Sequence, residues 1–135
     1  MNIQHGHNAD AYAAVQQAAE HYCRALHERD LDTLKALFHE SAHLYTVGAD
    51  GALIDWPRQH FLDRVSARAP AEAPFDPQTH CTIESVDVAG PEMAQVKLSV
   101  AVAPRRYTDY LNFLKIDGAW RVIAKVFRTA EGPPL

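Results

Sequence analysis

Between Tyr107 and Arg128 the chain reads YTDYLNFLKIDGAWRVIAKVFR, two runs of alternating apolar and polar residues on either side of Asp117-Gly118. Alternation of period two around an Asp-Gly pair predicts a β-hairpin closed by a two-residue turn. That turn sets Ile116 opposite Ala119, Lys115 opposite Trp120, Phe113 opposite Val122, Leu111 opposite Ala124, Asp109 opposite Val126 and Tyr107 opposite Arg128. Opposed residues share a face of the sheet, and neighbours along a strand alternate between faces. One face therefore carries Tyr107, Asp109, Leu111, Phe113, Val122, Ala124 and Val126, with Trp120 near the turn, and should meet the core. Leu111, Phe113, Trp120 and Val122 are expected to be buried against the first helix. The other face carries Thr108, Tyr110, Asn112, Leu114, Arg121, Ile123, Lys125 and Phe127, too apolar for a purely solvated surface. On the core face, Tyr107, Asp109 and Arg128 gather at the end away from the turn.

Upstream, the spacing of Tyr12, Val15, Ala19, Tyr22 and Leu26 predicts a helix from about Ala9 to Arg29, capped by Asn8 or Asp10. Asp30 can cap a second, short helix from Leu31 to about Phe38. A strand over His43 to Val47 turns at Gly48-Ala49-Asp50-Gly51 into a brief one over Ala52 to Asp55. Pro57 suits the first turn of a third helix, with Phe61, Leu62 and Val65 on its apolar side. The proline-rich APAEAPFDP, residues 69–77, predicts an irregular loop that could serve as a flap. A strand over Thr79 to Val88 shows a slip of alternation between Ile83 and Val86, the mark of a bulge. After Gly90-Pro91, the stretch from Ala94 to Val102 alternates cleanly, and Pro104-Arg105-Arg106 leads into the hairpin.

Helices first and consecutive strands afterwards argue an α+β fold, with three helices on the concave face of a curved, mostly antiparallel sheet. Bulge and twist would curl that sheet into a cone with a pocket at its wide end. The expected organisation is an N-terminal arm over residues 1–8, one domain over 9–129 and a tail over 130–135. A length of 135 residues with 47% hydrophobic residues fits one core. No apolar run approaches the length of a membrane span, and MNIQHGHNAD has no secretory pattern. A net charge of −4 with scattered basic residues argues against nucleic acid as a partner. Cys23 and Cys81, far apart and without an export signal, are expected to be reduced core residues, and Cys23 to be inert. A cytoplasmic location follows as the expectation.

The chain resembles the nuclear-transport-factor-2-like superfamily, and within it the lumazine-binding branch. The resemblance is carried by TDYLNFLKIDGAWRVIAKVF, the Asp-Gly of ADGALIDW, the ESVDVAG turn, Tyr22 and LFHESAHLY, and spans most of residues 10–129. It implies a conical α+β barrel, often a homodimer joined through the sheet. Its members include dehydratases, isomerases, polyketide cyclases and ligand-binding or scaffolding modules. It also implies a polar residue on the inner wall of the cone.

Asp109 is the leading candidate for chemistry. A carboxylate facing a partly apolar cavity can act as a general acid or base, and Tyr107 and Arg128 beside it could polarise a carbonyl or hold an anion. The competing role is an ion pair of Asp109 with Arg128 at the rim of the sheet. Tyr22 and Trp56 should project toward the cavity, where large aromatics usually fill a core. The Tyr22 hydroxyl needs a partner when buried and would find it in Asp109 or in a ligand. With Phe61, the expected ligand-binding set is Tyr22, Trp56, Phe61, Tyr107, Asp109 and Arg128. The eight histidines show no recognised ligand spacing: His39 and His43 straddle a helix end, and no HExxH is present. Neither a glycine-rich phosphate loop nor a nucleophile elbow occurs, so no metal or cofactor is expected. The leading reading is a small-molecule-binding domain that forms a homodimer through the face of Tyr110, Asn112, Leu114, Ile123 and Phe127. The alternatives are a cofactor-free lyase or isomerase built on Asp109, and a protein-interaction module.

Overall fold

The computed structural model describes residues 3–135, with side chains from Ala9 onward. Met1, Asn2 and the side chains of residues 3–8 lie outside the described residues. The backbone of residues 3–8, expected as part of an arm, belongs to the first helix, which thus begins before Ala9 with neither Asn8 nor Asp10 as its cap. The elements are α1 (Ile3–Glu28), α2 (Leu31–Leu37), β1 (Phe38–Val47), β2 (Leu53–Pro57), α3 (Arg58–Ala67), β3 (Cys81–Val88), β4 (Met93–Val102), β5 (Arg105–Ile116) and β6 (Ala119–Glu131). Six strands form one sheet in the order β2-β1-β6-β5-β4-β3. All neighbours are antiparallel except β1 and β6, which run parallel. The three helices cover one face, and the core lies between them and the sheet. This is the expected α+β architecture.

Local chemistry explains most boundaries. Arg29 ends α1 in the left-handed region, and Asp30 caps α2 by accepting from the Thr33 backbone N–H at 3.1 Å and the Thr33 hydroxyl at 2.6 Å. Pro57 sits at the N-cap of α3, whose inner side is Phe61, Leu62 and Val65. Asp117 and Gly118 both take positive φ, 51° and 80°, the pair of values that a type I′ hairpin turn requires. The expected bulge in β3 falls between Ile83 and Ser85.

The hairpin departs from its expected register part-way along. From the turn, Ile116 pairs with Ala119, Lys115 with Trp120 and Phe113 with Val122, as the two-residue turn dictates. Then Asn112 pairs with Ala124 and Leu111 with Lys125, so Ile123 is an extra residue on β6. A one-residue insertion moves every later side chain to the opposite face. Beyond Ile123, Lys125 and Phe127 turn inward and are buried, while Val126 and Arg128 turn outward and are exposed. Leu111, Phe113 and Val122 are buried as expected, and Trp120 is half-buried.

The expectation for the cysteines is corrected. Cys23 on α1 and Cys81 at the start of β3 are joined in a disulfide, with Cα atoms 6.1 Å apart and a sequence separation of 58. Helix α1 lies across β3 and brings the two together, a contact that spacing along the chain does not reveal. The bond also removes reduced thiols as an argument for a cytoplasmic location. No described helix is long and apolar enough to cross a membrane.

Closing a loop of that length stabilises the fold by about 4 kcal/mol on the chain-entropy account. Thiol titration of the denatured, unreduced protein should find no free thiol, and reduction should lower the urea midpoint. Two titratable thiols before reduction would contradict the bond.

Candidate functional site

The inward turn of β6 after Ile123 sets Lys125 beside Asp109 of β5. Asp109, Lys125 and Tyr22 are the polar side chains packed at the centre of the core, with exposures of 0%, 4% and 0%. The Tyr22 hydroxyl donates to Asp109 Oδ2 at 2.5 Å, and Lys125 Nζ donates to the Tyr22 hydroxyl at 2.8 Å. Lys125 Nζ also lies 3.5 Å from Asp109 Oδ2. The chain of donors thus runs from Lys125 through Tyr22 to Asp109. The second carboxylate oxygen, Asp109 Oδ1, is buried and has no hydrogen-bond partner among the described residues.

Around Lys125 the remaining contacts are aromatic. Its ammonium lies 4.6 Å from the Phe127 ring centroid, 4.9 Å from that of Phe61 and 5.4 Å from that of Tyr22. Ring faces attract a cation, and they also exclude water from it. Burial pushes the Lys125 amine below the ordinary lysine range, against the opposing pull of the Asp109 charge and hydrogen bond. Burial likewise raises Tyr22 well above the ordinary phenol value, reinforced by the charge of Asp109 and the hydrogen bond to it. Tyr22 is therefore a neutral phenol that passes the influence of Asp109 on to Lys125.

A recess of about 350 Å³ opens above this cluster, and Lys125 forms part of its wall. Trp56, Phe61, Tyr107 and Phe127 supply its aromatic lining, and Arg64, Arg68 and Arg105 its polar part. The recess is of the size and mixed character usual for a small-molecule site. A larger recess of about 750 Å³ lies beside it, lined by the proline-rich loop from Ala69 to Ala73 and by His27, Arg106 and Glu131. The loop is tied to α1, with His27 Nε2 2.7 Å from the Ala73 carbonyl and Arg24 over the Phe75 ring at 4.9 Å. We place the site in the smaller recess, because it reaches Lys125.

Three of the residues expected to bind ligand, Trp56, Phe61 and Tyr107, stand together on the wall of this recess. Tyr22 and Asp109 do not line it and sit behind Lys125 and the aromatic rings. Arg128 is exposed on the outer face, so the expected pairing of Asp109 with Arg128 is replaced by one with Lys125. The cause is the extra residue Ile123, which reverses the facing of β6 from Ala124 to Thr129. Lys125 and Phe127 were therefore missed as site residues. The available signal was Phe127 itself, a large aromatic assigned to the outer face of the sheet. Among the described residues no group of three or more His, Cys, Asp or Glu side chains is placed to hold a metal.

Residues 10–128 match a protein family described as "Putative lumazine-binding". The chain belongs to this family. Within its frame, the chain is 28% identical over 122 residues to a curated protein, Aldolase FrzH from Cladobotryum sp, covering 87% of this chain and 90% of that one. Among solved structures it resembles an NTF-2 like protein of unknown function from Silicibacter pomeroyi, with a TM-score of 0.78 and 28% identity over 90% of this chain and 97% of that one. A ketosteroid isomerase-like protein from Erwinia carotovora superposes with a TM-score of 0.68 at 16% identity, covering 90% and 97%, a likeness of fold alone. The NTF2-like fold of this family member is thus shared with a protein named ketosteroid isomerase-like and with others of unknown function.

The buried cluster makes a prediction about pH. The native state binds fewer protons at Lys125 than the unfolded chain does, between the lowered native value and the ordinary value of about 10.4. Stability should therefore rise with pH through that window. Above about 10, the native state keeps the Tyr22 proton that an unfolded phenol loses, so stability should fall. Lys125→Met should cost about 3–5 kcal/mol near neutral pH, because it strands a buried carboxylate, and should abolish the rising limb. Urea midpoints measured across pH check this, and parallel profiles for the two proteins would contradict it.

Proposed function

We propose that this protein binds a small carbonyl compound in the 350 Å³ recess and catalyses proton transfer at the carbon beside the carbonyl, with Lys125 as the catalytic base. The observation that carries this reading is a lysine amine, 4% exposed, on the wall of an aromatic recess and hydrogen-bonded to Tyr22. Burial lowers the Lys125 amine below the ordinary lysine range, which makes it easier to deprotonate than a lysine in water. Removing a proton from the substrate creates an enolate and an ammonium. The Asp109 carboxylate, the Tyr22 oxygen and three ring faces receive that ammonium without moving. The Tyr107 hydroxyl, on the same wall, is the donor for the enolate oxygen. The ammonium then returns its proton to carbon or to a leaving oxygen. Isomerisation, dehydration and aldol bond formation or cleavage all pass through such an enolate. The Aldolase FrzH relative supports a place for this chain in that group.

On this account Asp109 acts through Lys125 and not as the acid or base itself. It balances the charge that Lys125 acquires, and Tyr22 fixes the position of the amine. A second reading, binding without turnover, is favoured by the same aromatic enclosure, since three rings around Lys125 also hold a permanently charged ammonium in place. Exchange of α-hydrogens for solvent deuterium separates the two. The wild type should accelerate exchange in members of a panel of small aryl ketones followed by NMR, and Lys125→Met should slow it by about a hundredfold or more. Binding without exchange throughout the panel would favour the second reading.

We further propose a homodimer through the outer sheet face. Because of the extra residue at Ile123, the face consists of Tyr110, Asn112, Leu114, Ile123 and Val126, with Val126 in the place expected for Phe127. Tyr110 and Val126 are cross-strand partners, 41% and 46% exposed, and Met93 nearby is 50% exposed. Such a contiguous patch supports a symmetric partner surface. Val126→Glu should convert a dimer to monomers in sedimentation, and a monomeric wild type at micromolar concentration would end the proposal.

A further inference from the structure

The recess that reaches Lys125 is far more cationic than the molecule that contains it. The chain carries a net charge of −4, yet Arg64, Arg68, Arg105 and Lys125 line this recess and no aspartate or glutamate does. Of the four, Lys125 has Asp109 as its partner. The three arginines form no ion pair with a carboxylate among the described residues.

Each guanidinium is held by neutral groups instead, which fixes its position and leaves its charge uncompensated. Arg64 lies over the Trp56 ring, 4.6 Å from the centroid. Arg105 donates through Nε to the Pro133 carbonyl at 2.8 Å. Arg68 donates through Nη2 to the Leu26 carbonyl at the end of α1. Arg68 is also half-buried and has a second cation, Arg29, beside it: the Arg29 Nη1 donates to the Arg68 carbonyl at 2.6 Å. Burial first, and then the Arg29 charge, lower Arg68 from the ordinary arginine value. A partly desolvated cation with a like neighbour and no counter-ion is relieved by an anion that arrives with a ligand. Arg68 and Arg105 border both recesses, and because Glu72 and Glu131 line the larger one, such an anion would sit on the side of the smaller recess.

Building on the carbonyl-binding reading above, we propose that the ligand of this site carries a carboxylate, held by Arg68 and Arg105 at the mouth of the recess while its aromatic or apolar carbonyl portion lies among Trp56, Phe61 and Phe127 against Lys125. The substrate class is thus an aryl or alkyl keto acid. Arg64, held on the Trp56 ring, forms the remaining cationic wall.

The test measures binding alone, by calorimetry, with para-acetylbenzoate and its neutral methyl ester as probes. The wild type should bind the acid at least about tenfold more tightly than the ester, since a charge-assisted contact with guanidinium exceeds that margin. Arg105→Gln and Arg68→Gln should each reduce the preference, and Arg68→Lys should keep part of it. Arg128→Gln makes the same change of net charge on the far face and should leave the preference intact. Because Arg68 also holds the end of α1, each variant is accepted only with an unaltered circular dichroism spectrum, and Arg105→Gln alone suffices if Arg68→Gln fails to fold. Affinity for the acid no greater than for the ester, absence of binding of both included, would overturn the proposal. An equal loss in Arg128→Gln and Arg105→Gln would overturn it too, by assigning the effect to net charge. Preference retained without deuterium exchange would remove the chemistry proposed above and leave the anion site standing. Exchange without preference would do the reverse.

Discussion

The site depends on one inserted residue. Ile123 adds itself to β6 opposite the regular run of β5, and from Ala124 to Thr129 the β6 side chains point the other way. Without the insertion, Ala124 and Val126 would face the core and Asp109 would be a buried carboxylate among apolar side chains. With it, Lys125 stands in the core beside Asp109, and Phe127 closes the aromatic ring around the amine. A buried charge without a partner costs several kcal/mol, so the bulge and the Asp109–Lys125 pair need each other. Bulges recur near functional sites because they re-aim a side chain without altering the sheet on either side.

The cluster is costly relative to an apolar core of equal volume, and it is incompletely satisfied. Asp109 Oδ1 lies buried with no partner among the described residues, while Oδ2 has both Tyr22 and Lys125. Buried polar groups are nearly always paired, and exceptions gather where chemistry or binding requires them.

Much of this fold was legible in the sequence because local signals agreed with the global pattern. Asp117-Gly118 named its own turn, Asp30 its cap, Pro57 its helix start, and the slip between Ile83 and Val86 its bulge. The bulge at Ile123 left no such trace. Val122, Ala124 and Val126 form one apolar alternation, and Ile123, Lys125 and Phe127 form another broken only by a single lysine. Either phase reads as a strand, and the choice is made by packing across β5, which a single strand does not encode. The link between Tyr22 and Asp109 was within reach because a buried phenol must find a partner. The bond between Cys23 and Cys81 was not, since it depends on how α1 crosses β3.

The most direct test of this account is the titration of Lys125 itself, followed through its ε-methylene resonances by heteronuclear NMR in the folded protein. A Lys125 amine buried against Tyr22 and Asp109 should titrate below the ordinary lysine range, and Tyr22→Phe should shift its midpoint while leaving the surface lysines unchanged. A Lys125 that titrates with the surface lysines, near about 10.4, and ignores Tyr22→Phe would place its side chain in solvent and contradict the inward turn of β6.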